Sequence, residues 1–180
     1  MTATTASELA AWRAYSTAHD QLAAHLSREL TRATGLSEAD YRILDALLAA
    51  PGGRMRALEL RWVLQWEKSR LSHQVGRMAR RGLLGRESCA EDARGWDITL
   101  TPEGREAGER ARLVREHSVR RTVLEALGPD RLAQLAETAA LLSARLERVA
   151  EEDPSCRAAR AEAFPEAFPE ASANPGPSPG

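Results

Sequence analysis

Aromatic side chains make up only 4% of the 180 residues, and both phenylalanines, Phe164 and Phe168, fall at the far end of the chain. Sandwiches and barrels draw on Val, Ile and aromatic strands. Their scarcity beside plentiful Ala and Leu excludes those folds and points to helices. Cysteine is nearly missing as well. Cys89 and Cys156 form neither a C-x-x-C pair nor a disulfide framework, which fits a reducing, cytoplasmic interior. No apolar run reaches the roughly 18 residues of a membrane span, and residues 1–11 lack the basic and apolar parts of a leader. A soluble, unexported protein is expected. Net charge is almost absent: 25 basic residues face 26 acidic ones, giving −1. A uniformly basic surface is thereby excluded, but a local basic patch is not. The Gly-rich phosphate loops and the H-E-x-x-H zinc signature do not occur. His19, His25, His73 and His117 lack the spacing of a metal site, so neither metal nor cofactor is expected. Ser72 and His73 are neighbours on one helix, where adjacent side chains diverge, so they make no nucleophile–base pair and no enzyme is expected.

What is present is helical periodicity broken by proline and glycine. Residues 7–33 read as a long helix with Trp12, Tyr15, His19, Leu22, Leu26 and Leu30 on one stripe. Gly35 stops it. Ser37 and Asp40 form an approximate capping box for a second helix, which Pro51-Gly52-Gly53 ends. A short third helix, about residues 56–64, is followed after two or three residues by a fourth over 67–81, closed by Gly82. Two short runs, 83–88 and 95–100, flank a polar stretch and read as a β-hairpin. Thr101-Pro102 opens a helix that runs to about Leu127. The last helix covers about 130–151. In it Leu132, Leu135, Ala139, Leu142, Leu146 and Val149 step by three and four, a heptad seam. That seam suits a dimerisation helix, or else a core helix within one chain.

Between residues 54 and 86 nine basic side chains meet only Glu59 and Glu67, a local excess of seven positive charges in a chain of net −1. Such asymmetry is the footprint of a polyanion-binding face. On the fourth helix Leu71, Val75 and Met78 share the inward side, leaving Ser69, His73, Gly76, Arg77 and Arg80 outward. Arginine can grip guanine O6 and N7 with two hydrogen bonds, and Ser and His can donate to bases or phosphates. An Arg-rich face alone can be merely solvated, and a lone His merely exposed. The order short helix, tight turn, basic helix and polar-tipped hairpin is far more specific: a winged helix-turn-helix.

The segment from Trp66 to Leu84, with Arg86, Asp92-Ala93-Arg94 and Ile98-Thr-Leu-Thr-Pro-Glu-Gly104, resembles the MarR family of transcriptional regulators over about residues 8–150. The resemblance implies a mainly α fold with a small β-hairpin wing. Residues 7–152 would form the family domain, with 36–101 as the DNA-binding head and 7–33 and 102–151 as dimerisation helices. It implies a homodimer that represses from a pseudo-palindromic operator on double-stranded DNA, often relieved by a small aromatic or anionic ligand. Carried over by motif, Ser69, Arg70, Ser72, His73 and Arg77 face the major groove or its phosphates, alongside Lys68, Arg80 and Arg86. Arg94 would enter the minor groove, where a narrow A·T-rich groove concentrates negative potential, with Asp92 orienting the wing. The reactive cysteine of the peroxide-sensing branch is missing from residues 7–33. A redox switch would have to use Cys89, which has no resolving partner nearby.

Trp12, Tyr15 and His19, with Trp62 or Trp66 opposite, are candidates to line an effector pocket, or else ordinary packing residues. Residues 153–180 hold six of the nine prolines and a Glu-Ala-Phe-Pro repeat, and read as a disordered tail. Its phenylalanines are a candidate docking motif. The rival to DNA binding is a winged-helix module that only dimerises or binds protein. Salt dependence separates the two, because phosphate contacts weaken steeply as salt rises.

Overall fold

The computed structural model describes residues 4–88 and 96–163. Helix α1 (Ala6–Thr34) starts at a Thr5–Glu8 capping box and ends at the left-handed Gly35. Helix α2 (Glu38–Ala49) starts at Ser37, whose hydroxyl accepts from the Asp40 N–H while the Asp40 carboxylate accepts from the Ser37 N–H. A tight turn over Pro51–Gly53 leads into strand β1 (Arg54–Arg56), helix α3 (Ala57–Leu64) and helix α4 (Lys68–Arg80). Strands β2 (Leu84–Ser88) and β3 (Trp96–Leu100) follow, then helix α5 (Pro102–Val119). A π-helical turn over Arg120–Leu124 joins α5 to helix α6 (Glu125–Glu152), and a short helix α7 (Pro154–Ala163) closes the described chain.

The wing is larger than a hairpin. Its antiparallel sheet has the order β1-β3-β2, with Met55 opposite Ile98 on one side and Arg86 opposite Ile98 on the other. The third strand escapes a periodicity reading because it is only three residues long and flanks its single apolar residue with two arginines. Its place is fixed by an ion pair from Arg54 to the buried Asp97 on β3.

The break foreseen at Gly128-Pro129 is present as a kink, with Gly128 non-helical at φ 69°, and a π turn over Arg120–Leu124 precedes it. One further expectation is corrected. The segment from residue 153 was expected to be disordered, yet α7 forms over 154–163 and packs against α3, burying Ala163. Asp153 caps it through its carboxylate, which accepts from the Ser155 N–H and hydroxyl at 2.8 and 2.6 Å. An alanine-rich stretch with a good cap can form a helix when a neighbour covers one side. Phe164, Phe168 and the rest of that tail lie outside the described residues.

The core lies in the head. Ile43, Leu44 and Leu47 of α2 meet Leu60, Val75, Met78 and Ile98, all fully buried. Each such side chain contributes roughly 1.5–3 kcal/mol of burial. Two family-like motifs have direct physical causes here. In Arg81-Gly82-Leu83 the left-handed Gly82 lets its own N–H reach the Ala79 carbonyl and the Leu83 N–H reach that of Met78. This is a Schellman ending that drops Leu83 into the core. In Leu100-Thr-Pro-Glu-Gly104 the Thr101 hydroxyl accepts from the Gly104 N–H and donates to the Gly82 carbonyl. A Cβ at Gly104 would lie 1.9 Å from the Leu83 carbonyl oxygen, so only glycine lets α5 start there.

Helix α3 ends in the same Schellman pattern, with Gln65 N–H to Trp62 and Trp66 N–H to Arg61, both at 3.0 Å. Here the left-handed position, φ 54°, is held by Gln65, the only non-glycine with positive φ among the described residues. That conformation costs an L-residue about 1–2 kcal/mol, partly offset by the greater freedom glycine has when unfolded. Gln65→Gly is therefore expected to stabilise the protein by about 0.5–1 kcal/mol. A thermal melt should move up by a few degrees; an unchanged or lower midpoint would count against the strain.

Candidate nucleic-acid interface

Helix α4 divides cleanly into two faces. Leu71, Gln74, Val75 and Met78 are buried, while Lys68, Ser69, Arg70, Ser72, His73, Arg77 and Arg80 stand exposed. No side chain caps the start of α4, and no acidic residue occupies its first turn. The N-cap residue is Glu67, which makes no capping bond there. Ala39 at the start of α2 and the α4 residues Arg70, His73, Gln74, Gly76, Arg77 and Arg80 line one shallow hollow. Of the residues read as outward from the helical period, Ser69, His73, Arg77 and Arg80 stand exposed and Gly76 is half-buried.

The arginines on this face are held from beneath. The Arg70 guanidinium lies over the Trp66 ring, 4.3 Å from its centroid, and Arg42 approaches the same ring at 5.6 Å while donating to the Leu64 carbonyl at 3.1 Å. Cation–π contacts of this kind are worth about 0.5–2 kcal/mol. Arg77 donates to the Gln74 side-chain carbonyl. The Gln74 amide in turn donates to Asp40 Oδ1 at 2.5 Å, and Arg81 donates to Asp40 Oδ2 at 2.8 Å. Arg86 on β2 lies over Trp96 at 4.5 Å and points a donor at the Ser72 carbonyl, 3.5 Å away. A Cβ on Gly76 would meet Arg86 Nη2 at 3.5 Å. Part of what approaches that outward glycine is therefore the protein's own wing.

Asp40 is only 3% exposed. Burial pushes its carboxyl upward, but the Ser37 N–H, the Arg81 guanidinium and the Ser37 hydroxyl outweigh that and leave it below the usual carboxylate range. Asp40, Gln74, Arg81 and Arg42 are the supporting residues that sequence reasoning missed. The available signal was Gln74, a polar residue on the inward stripe of Leu71, Val75 and Met78.

The other candidates are placed as follows. Asp92, Arg94 and Cys89 lie outside the described residues. Trp12, Tyr15 and His19 stack along an open face of α1, with ring centroids 5.6 and 6.2 Å apart. Trp66 is buried in the helix-turn-helix corner and Trp62 is half-buried on α3. The seam of α6 is not a core: Leu135, Ala139, Leu142, Leu146 and Val149 are exposed, and only Leu132 is half-buried. Among the described residues no cluster of His, Cys, Asp or Glu gathers to hold a metal, and no helix is long and apolar enough to cross a membrane.

Comparison with solved structures places this architecture among transcriptional regulators. AbsC, a MarR family transcriptional regulator from Streptomyces coelicolor, is 33% identical and has a TM-score of 0.75, covering 82% of this chain and 99% of its own. Sco3205, a MarR family regulator from the same organism solved in complex with DNA, is 34% identical at a TM-score of 0.75, covering 79% and 89% of the two chains. The organohalide-sensing regulator RdhR-CbdbA1625, in its 2,4-dichlorophenol-bound form, shares the fold at 18% identity and a TM-score of 0.69, over 79% of this chain and 82% of its own. No protein-family model and no curated protein matches the sequence.

The depressed Asp40 carboxyl predicts an acid limb in stability. A group whose pKa is lower in the folded state contributes stability above its unfolded pKa, near 3.8, and loses it as pH falls through the folded value. Urea unfolding at pH 6 and pH 3 should show wild-type stability falling more across this interval than that of Asp40→Asn. Equal falls would show that Asp40 does not link α2 and α4 as a charge.

Proposed function

We propose, starting from the fact that this chain belongs to the MarR family of transcriptional regulators, that it acts in the cytoplasm as a homodimeric repressor on a pseudo-palindromic operator. It is a DNA-binding regulator, and α4 is its recognition helix. One observation carries this reading: Lys68, Ser69, Arg70, Ser72, His73, Arg77 and Arg80 all stand exposed on a single face of α4, while the opposite face is locked into the core. Phosphate contacts from Lys68, Arg70, Arg80 and Arg86 set position on the duplex, and Arg77 reads a base edge. The exposed Ser72 and His73 serve this surface rather than any catalytic step.

The dimer is supported by apolar surface that one chain leaves uncovered. Leu9, Trp12 and Tyr15 on α1 and Leu135, Leu141, Leu142, Leu146 and Val149 on α6 are all at least 42% exposed. A monomer would leave these as a large wetted patch. Two copies joined through these helices would present their recognition helices about 34 Å apart, one turn of DNA. The Trp12–Tyr15–His19 ladder on α1 is the proposed place for a small aromatic or anionic effector.

Gel-shift assays with sheared chromosomal DNA at low salt, followed by sequencing of the retained fragments, test the reading directly. Two inverted half-sites one turn apart are expected; no retardation would overturn it. Arg77→Ala is expected to weaken operator binding by roughly 1–3 kcal/mol and relax preference at one base pair per half-site. An unchanged footprint and affinity would remove Arg77 from base reading. Introducing Leu142→Glu with Leu146→Glu should yield monomers in sedimentation velocity, and a persisting dimer would move the interface off α6.

A further inference from the structure

We infer that Gln74 is a positioning residue for sequence reading: it couples the buried Asp40 carboxylate to Arg77 and so fixes the guanidinium fork that faces DNA. The inference rests on the proposed role of α4 and adds to it a residue that does not touch DNA. Gln74 is 3% exposed, in the middle of the apolar side of the recognition helix. An amide can be built two ways round, because its carbonyl and NH2 ends are similar in shape. Asp40 removes that freedom. Its carboxylate only accepts, so it takes the Gln74 NH2 and turns the Gln74 carbonyl outward, where the Arg77 guanidinium donates to it. Asp40 is itself fixed by the Ser37 N–H at 2.9 Å and by Arg81 at 2.8 Å, so the orientation cannot relax by rotating the acid.

The consequence concerns specificity more than affinity. A free arginine reaches phosphates as readily as bases and pays rotamer entropy to order on either. With one donor committed to Gln74, Arg77 keeps the remaining N–H groups in a fixed direction over the hollow shared with Ala39 and His73. Bidentate recognition of a base edge depends on such a fixed plane, whereas a phosphate contact tolerates rotation. The relay therefore biases Arg77 toward base reading. The same chain of bonds transmits any shift of the start of α2 to the reading head.

The test uses the full-length protein and the operator recovered from the bound fragments. Gln74→Met keeps volume and burial but removes both hydrogen bonds. It should lower the preference at the base pair read by Arg77 about tenfold, leave binding to unrelated DNA and its salt dependence unchanged, and be non-additive with Arg77→Ala. Gln74→Glu supplies the conservative rescue. Its carboxylate can accept from Arg77, but the contact with Asp40 then needs a shared proton, so the base preference should return only as the pH is lowered enough for the pair to take one up. A wild-type profile for Gln74→Met, or equal losses on operator and unrelated DNA, would overturn the relay. Should Gln74→Met fail to fold, 15N NMR of the wild-type Arg77 guanidinium decides: hindered rotation supports the relay and free rotation overturns it. If Arg77→Ala itself leaves the base profile intact while the operator is still bound, the relay falls and the regulator reading stands. Absence of DNA binding by wild type would remove the regulator reading itself.

Discussion

A carboxylate taken out of water must find donors from its surroundings, and Asp40 finds them in three segments at once. It caps α2 through Ser37, holds Gln74 in the middle of α4 and holds Arg81 just past the end of α4. Apolar packing between Leu44, Leu71, Val75 and Met78 would tolerate small rotations of α4. The polar pair does not. Turning α4 by one residue would leave a buried charge and a buried amide without partners, each costing about 1–3 kcal/mol or more. The proposed recognition helix therefore has its rotation set from inside the head. The arginines on its outer face inherit that precision, Arg70 through Trp66 and Arg77 through Gln74.

Burial divides the rest of the chain. The fully buried side chains lie in the head, at the end of α1 and, with Ala111, on α5, while the 28-residue α6 buries none. A helix with so little intramolecular cover is the natural surface for the proposed dimer contact. Between the two regions stands α5. Arg112 bonds the Asp45 carboxylate at 2.6 Å, Arg115 pairs with Glu38 and lies over Tyr41 at 4.9 Å, and Gly108 lets α5 press against Leu48 and Leu44 of α2. Burial, and then the nearby Asp45 carboxylate, raise the Tyr41 hydroxyl above its ordinary pKa, so the ring stays neutral beneath the cation. The arm is thus fastened to the head, and its course beyond α5 is bent by the π turn at Arg120–Leu124 and the kink at Gly128.

The legible parts of the sequence were those where a single residue type has a single local job. Ser37, Thr101-Pro102, Gly35 and Gly82 start or stop helices at the places their chemistry requires, and the inward stripe of α4 follows from its period. The illegible parts needed partners distant in sequence. Strand β1 exists because Arg54 finds Asp97, 43 residues away. Helix α7 needs α3 beneath it, and the π turn disturbs no periodicity that composition could register. Gln74 interrupts the apolar stripe of α4, and its place there is explained only by Asp40, 34 residues earlier, which supplies its acceptor. The recognition face was readable as charge, but what orients that charge was not.

The motifs that made the family recognisable are for the most part those that the backbone demands. Gly104 is required by the Leu83 carbonyl and Gly82 by the helix ending, so they carry the fold and say nothing about the operator. Operator choice must lie with the outward side chains and with whatever fixes their rotamers. Charge supplies the other half of recognition. The segment from 54 to 86 carries an excess of seven positive charges while the whole chain is at −1, so the remaining surface is net acidic. Such a molecule is repelled by a polyanion from most directions and drawn to it from one. The asymmetry therefore selects the orientation of approach before any base is read, and in the proposed relay the buried Asp40 contact determines which donors are then presented to the groove.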